Sequence, residues 1–201
     1  MEKSEFVVGL LPGLPCDSML MGSSPSRRIV FRNLKPSKCS FNIRGDIVLS
    51  DMGLSRDTRN ALKVTDETFK LTGNTGSLRF MAPEVALNEP YGFSADMHSF
   101  GLTLWQILKM ELPFKTITHR SVFVDMVVEK GARPKVEKSW EGPLADVLKS
   151  CWHNDLTERP TAAQCVSTLR QELNKCRTYH TSHVRVAPEN TSMTSTQEQS
   201  A

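Results

Sequence analysis

From Ala95 to Lys109 the apolar residues Met97, Phe100, Leu102, Leu104, Trp105, Ile107 and Leu108 cover nearly the whole circumference of a helix. That pattern predicts a helix buried on most sides, at the centre of the fold. Ser121 to Lys130, Pro143 to Trp152 and Thr161 to Lys175 also carry apolar residues at helical spacing, with Pro143 and Thr161 at suitable starts. Upstream the period shortens. Ile29 to Phe31 and Ile47 to Leu49 are β-prone, and Arg44-Gly45-Asp46 after Phe41-Asn42-Ile43 reads as a turn, so a small hairpin is expected near Asn33 to Lys38. The prediction is a mainly α (α+β) domain over residues 29–175. Residues 1–28, broken by Gly9, Pro12, Gly13, Pro15, Gly22 and Pro25, are expected to be irregular, and residues 176–201 to form a disordered polar tail.

Composition narrows the class. A chain of 201 residues with 39% hydrophobic and 23% charged residues suits one soluble domain with one sizeable core. Its net charge of +3 gives no reason to expect a nucleic-acid or membrane partner, and no apolar run has the roughly 20 residues that span a bilayer. Phe6 to Leu14 is apolar but interrupted by Gly9, Pro12 and Gly13, a poor match to a secretory signal. The five cysteines are scattered and form no C-x-x-C pair, which fits a reducing, cytoplasmic compartment. Cys176, His180 and His183 have a spacing that could ligate metal, although solvated side chains in a polar tail explain them more simply.

Three clusters carry the chemistry: Phe31-Arg32-Asn33-Leu34-Lys35-Pro36-Ser37-Lys38, Asp51-Met52-Gly53, and Met81-Ala82-Pro83-Glu84. In that order and spacing they resemble the catalytic loop, D-F-G and A-P-E motifs of the C-terminal lobe of a eukaryotic protein kinase. Asp96-Met97-His98-Ser99-Phe100-Gly101 resembles the start of that family's buried central helix, and Trp152 with Arg159-Pro160 its closing helices. Lys35-Pro36 is similar to the serine/threonine class. Gly131 to Pro134 and Cys151-Trp152 are similar to the tyrosine-kinase-like group.

The resemblance implies ATP and Mg²⁺ as cofactors and a protein as substrate or partner, including a partner kinase. It places Lys35 beside the transferred phosphoryl group and Asp51 against a phosphate-bound Mg²⁺, where the plain alternatives are a surface lysine and a turn aspartate. It makes Glu84 and Arg159 a buried ion pair, sets Arg32 in the structural frame of the catalytic loop, and has Ser77 hydrogen-bonding that loop. Asp96 then anchors the loop backbone; read alone, it is a helix N-cap. The threonine-rich stretch from Asp51 to Glu84 fits a mobile loop that phosphate on Thr65, Thr68, Thr72 or Thr75 could order, with unmodified polar residues as the simpler reading.

Four positions depart from the family. Asn33 stands where the catalytic carboxylate belongs, and an amide cannot accept the substrate proton; general-base contributions run from about 10² to 10⁴ in rate. Lys38 replaces the second metal-ligating asparagine, and its ammonium would repel Mg²⁺, or else neutralise nucleotide phosphates directly. Phe31 for His and Met52 for Phe are milder packing exchanges. A Gly-rich phosphate loop, a strand lysine and its helix glutamate should precede Asn33, yet none occurs in the 32 residues before it. Nor does that stretch resemble the helix that would cover Phe100 to Leu108, so an exposed apolar face is expected there.

Three functions stay open on these grounds. One is a partial protein kinase domain of the serine/threonine class with impaired catalysis. The second is a non-catalytic, pseudokinase-like interaction module. The third is a truncated gene product without a function of its own.

Overall fold

The computed structural model describes residues 28–140 and 142–183, the last eight as backbone only. The irregular N-terminal reading of residues 1–27, the end of the polar tail and the side chains of Cys176, His180 and His183 lie outside the described residues.

Two small antiparallel sheets frame the segment that follows Arg28. Strand β1 (Ile29–Val30) pairs with β4 (Arg56–Asp57), and β2 (Cys39–Phe41) forms a hairpin with β3 (Ile47–Leu49) in the register Cys39 to Leu49 and Phe41 to Ile47. The hairpin is present, but its first strand begins at Cys39 and ends before Asn42. The Asn42 side chain folds over the turn, where its Oδ1 accepts from the backbone N–H of Arg44 and of Asp46, both at 2.9 Å. Strand β1 likewise stops one residue short of the predicted Phe31, because the Phe31 N–H turns inward to a side-chain acceptor.

Helix α1 (Pro83–Ala86) is a single turn, and the long α2 (Phe93–Lys109) is the predicted central helix, starting two residues earlier than its apolar run suggests. Helix α3 (Arg120–Phe123) widens into a π-helical turn over Val124–Glu129 rather than continuing regularly to Lys130. Helix α4 (Pro143–Cys151) has proline in its first turn, and α5 (Ala162–His183) runs past Lys175, so the backbone is helical into the region expected to be disordered.

The central helix is enclosed. Phe100, Leu102 and Leu104 are at most 1% exposed, packed in one cluster with Leu34, Val147, Leu148, Cys165 and Leu169. The predicted bare face over Phe100 to Leu108 is therefore covered, by the loop after β1 and by α4 and α5; Ile107 and Leu108 are half-buried against the same cluster. Gly101 permits this, since a Cβ there would lie 2.8 Å from the Cys151 Cβ on α4. A second cluster around Tyr91 and Val85 packs against Ala95 of α2, and a third around Phe123 and Val127 packs against Leu78 and Ala86. No helix among the described residues is long and apolar enough to cross a membrane.

Candidate active site

The loop after β1 is fixed from below by Asp96. This residue lies inside the first turn of α2, not at its N-cap, which is Gly92. Its carboxylate accepts from the backbone N–H of Phe31 at 2.7 Å and of Arg32 at 2.8 Å. Both bonds are buried, and burial raises the Asp96 carboxyl to about 6 even though the two N–H donors pull it down. Just after these two N–H groups the chain turns, Arg32 taking a left-handed conformation (φ 69°). From the other side Gly76 (φ 103°) closes on it, where a Cβ would stand 2.3 Å from the Arg32 carbonyl oxygen. Gly76→Ala is therefore expected to destabilise the domain by about 2 to 3 kcal/mol, read as a lowered urea midpoint with an unchanged slope.

The Arg32 side chain is buried and runs toward the polar segment, donating to the carbonyls of Leu54 (2.5 Å) and Thr72 (3.3 Å) and to the Tyr91 hydroxyl (3.1 Å). The Tyr91 hydroxyl in turn donates a hydrogen bond to the Thr72 carbonyl at 2.7 Å. The cation thus ties β1, the turn at Met52–Leu54 and residue 72 together. Tyr91 was not singled out by sequence; its place immediately before Gly92 and α2 was the available cue.

Asn33, Lys35 and Ser77 meet. Asn33 Oδ1 accepts from the Ser77 N–H and Oγ, both at 3.1 Å, while Lys35 Nζ donates to Ser77 Oγ at 2.7 Å. The amide oxygen and the ammonium are thereby held on either side of one hydroxyl, in a half-buried setting. Lys38 and Asp51 meet separately, as an ion pair on the open side of the hairpin. Asp51 also has left-handed backbone (φ 62°), and its Oδ1 accepts from the Gly53 N–H at 3.3 Å. The Lys38 ammonium, followed by the Gly53 N–H, keeps the Asp51 carboxyl below the usual range.

The residues present do not fit a Mg²⁺ ion. Such an ion asks for near-octahedral oxygen coordination, and here one carboxylate faces a lysine in place of a second oxygen ligand. No cluster of three or more His, Cys, Asp or Glu suited to a metal occurs among the described residues.

The stretch predicted to be a mobile loop is hydrogen-bonded along its length. Phe69 and Tyr91 exchange backbone bonds at 2.9 and 3.2 Å, and Thr75 Oγ1 donates to the carbonyls of Thr72 and Gly73. Thr68 is buried with its hydroxyl 2.7 Å from that of Thr65, so it is not an accessible phosphate acceptor, whereas Thr65 and Thr72 are exposed. Arg79, another residue the sequence reading passed over, donates to the Pro113 and Phe114 carbonyls at 2.6 and 2.5 Å and links this stretch to the segment after α2. At its end, Glu84 and Arg159 form a bidentate pair at 2.6 and 3.0 Å, with the arginine side chain fully buried.

A sequence model of the family described as protein tyrosine and serine/threonine kinase matches residues 24–169. The chain belongs to the protein kinase family. Among curated relatives it is 34% identical over 143 residues to the serine/threonine-protein kinase STY17 of Arabidopsis thaliana, covering 71% of this chain and 24% of that protein. It is 30% identical over 147 residues to the serine/threonine/tyrosine-protein kinase HT1 of the same plant, covering 73% and 35%. With the dual specificity protein kinase shkD of Dictyostelium discoideum the identity is 28% over 149 residues, covering 74% and 19%. The chain thus spans between about a fifth and a third of the length of these relatives. Its α+β architecture is that of the kinase C-terminal lobe, and the family in general uses ATP and Mg²⁺ and acts on proteins.

Proposed function

We propose that this kinase-family lobe engages a protein acceptor or a partner kinase in a cytoplasmic setting while its own phosphoryl transfer is impaired. The observation that carries the reading is Asn33. In the position that resemblance assigns to the catalytic carboxylate stands an amide, and its oxygen already accepts from Ser77. An amide has no useful proton affinity near neutral pH, so it can orient a hydroxyl but not take its proton. The free thiols Cys39, Cys151 and Cys165 are in keeping with the cytoplasmic part of the proposal.

A second reading, a working serine/threonine kinase, draws on Lys35. Its hydrogen bond to Ser77 holds the ammonium where it could meet a transferring phosphoryl group. The two separate in one assay. The chain is incubated with Mg²⁺ and labelled ATP on a mixed protein acceptor, beside Asp51→Ala and Asn33→Asp. Wild-type transfer no greater than that of Asp51→Ala is expected, with any gain confined to Asn33→Asp, which keeps the acceptor oxygen for Ser77. Wild-type turnover abolished by Asp51→Ala would establish the kinase reading instead.

A further inference from the structure

Lys38 and Asp51 are brought together by backbone rather than by chance on the surface. Lys38 ends the 3-10 turn Pro36–Lys38 just before β2, and Asp51 follows β3 by two residues. The register that sets Cys39 opposite Leu49 carries the two flanking residues to the same end of the hairpin. Ser50 fixes that end, its N–H and Oγ both donating to the Lys38 carbonyl at 2.8 and 3.2 Å. The Lys38 side chain is only 20% exposed, so its ammonium is delivered to the carboxylate along a packed stem. Each Asp51 oxygen then has a donor, Gly53 N–H on Oδ1 and Lys38 Nζ on Oδ2.

We propose that the Lys38 ammonium is the resident cation of this site, standing against Asp51 in place of a divalent metal and excluding one. The exclusion has two physical parts. An incoming dication would meet a fixed positive charge at hydrogen-bond distance from the acid that would hold it. It would also give up tightly bound water for a site that offers one carboxylate, whereas an ammonium needs no such dehydration of a double charge. This goes beyond the loss of a general base at Asn33 and is tested without turnover, so either can fail alone.

The test is Mn²⁺ binding to the full chain, followed by the loss of the free-ion electron paramagnetic resonance signal. Wild type is expected to leave Mn²⁺ free up to millimolar concentrations. Lys38→Asp, which replaces the ammonium with a second carboxylate, is expected to tighten binding at least tenfold, and adding Asp51→Asn to abolish that gain. Lys38→Asn, which removes the charge and supplies an amide oxygen, gives a smaller gain and serves should Lys38→Asp fold poorly by circular dichroism. Wild-type binding as tight as that of the folded Lys38 variants, or no gain in either folded variant, would overturn the proposal.

Discussion

Glu84→Ala is expected to destabilise the domain by about 3 to 5 kcal/mol, lowering Tm by on the order of 10 °C for a domain of this size. The reason is what remains. Arg159 has a fully buried side chain whose NH1 and NH2 donate to the two Glu84 oxygens, with further bonds to the carbonyls of His153 (2.9 Å) and Ser94 (3.1 Å). Those carbonyls cannot neutralise it, so truncating the acid leaves a buried guanidinium without a counter-charge. Arg159→Ala should cost a comparable amount. Combining Glu84→Ala with Arg159→Ala should cost much less than the sum, because the desolvation of both ions is removed along with their attraction. Thermal unfolding of the four proteins in this cycle is the measurement. A purely additive cycle would mean that the pair does not act as a unit.

The same pair shows what local sequence can reveal. Glu84 and Arg159 are 75 residues apart, and they were found because each sits in a recognisable short motif, not because either neighbourhood requires the other. Helix α2 was legible for a different reason: apolar residues around its whole circumference leave no solvent face to choose. Its start was not, because an acid followed by an apolar run looks like a cap until the long-range N–H donors of Phe31 and Arg32 are known. The hairpin was legible from its turn, while its strand ends depended on the Asn42 side chain. The covered face of Phe100 to Leu104 depended on α4 and α5 packing onto it, a property of tertiary placement that no window of sequence contains. At the site, Asn33 and Lys38 were visible as departures. Ser77 was expected to bond the catalytic loop, but that its partner there is Asn33, and that Lys38 meets Asp51, emerges only when the chain folds back across 44 and 13 residues.

Asp96→Ala is expected to cost about 3 to 5 kcal/mol at pH 7, since it strips one acceptor from two buried N–H groups, each worth about 1 to 3 kcal/mol when orphaned, and releases the left-handed turn at Arg32. It should also change how stability depends on pH. The Asp96 carboxyl is raised to about 6 in the folded protein from an ordinary value near 3.8. Between those values the folded state holds a proton that the unfolded chain has released. Asp96 therefore adds stability as pH falls through this window and withdraws it as pH rises through 6, with a slope of about 1.4 kcal/mol per unit. His98 works in the opposite direction. It is 1% exposed and neither ring nitrogen makes a hydrogen bond; the Phe80 carbonyl, which also accepts from Ser99 Oγ at 2.8 Å, favours the imidazolium but is outweighed by burial. Burial first, then the guanidinium charges of Arg159 and Arg133, push its pKa well below 6.5. Below 6.5 the unfolded chain takes up a proton that the folded ring refuses, and stability falls with the same slope. Over the part of the range from about pH 6 to pH 4 in which the folded ring stays neutral, the two contributions oppose each other. Chemical denaturation across that range should show only a shallow contribution from this pair in wild type, a steeper loss toward acid in Asp96→Ala, and a gain toward acid in His98→Phe. Parallel curves for wild type and both variants would show that neither group keeps the protonation state its burial dictates.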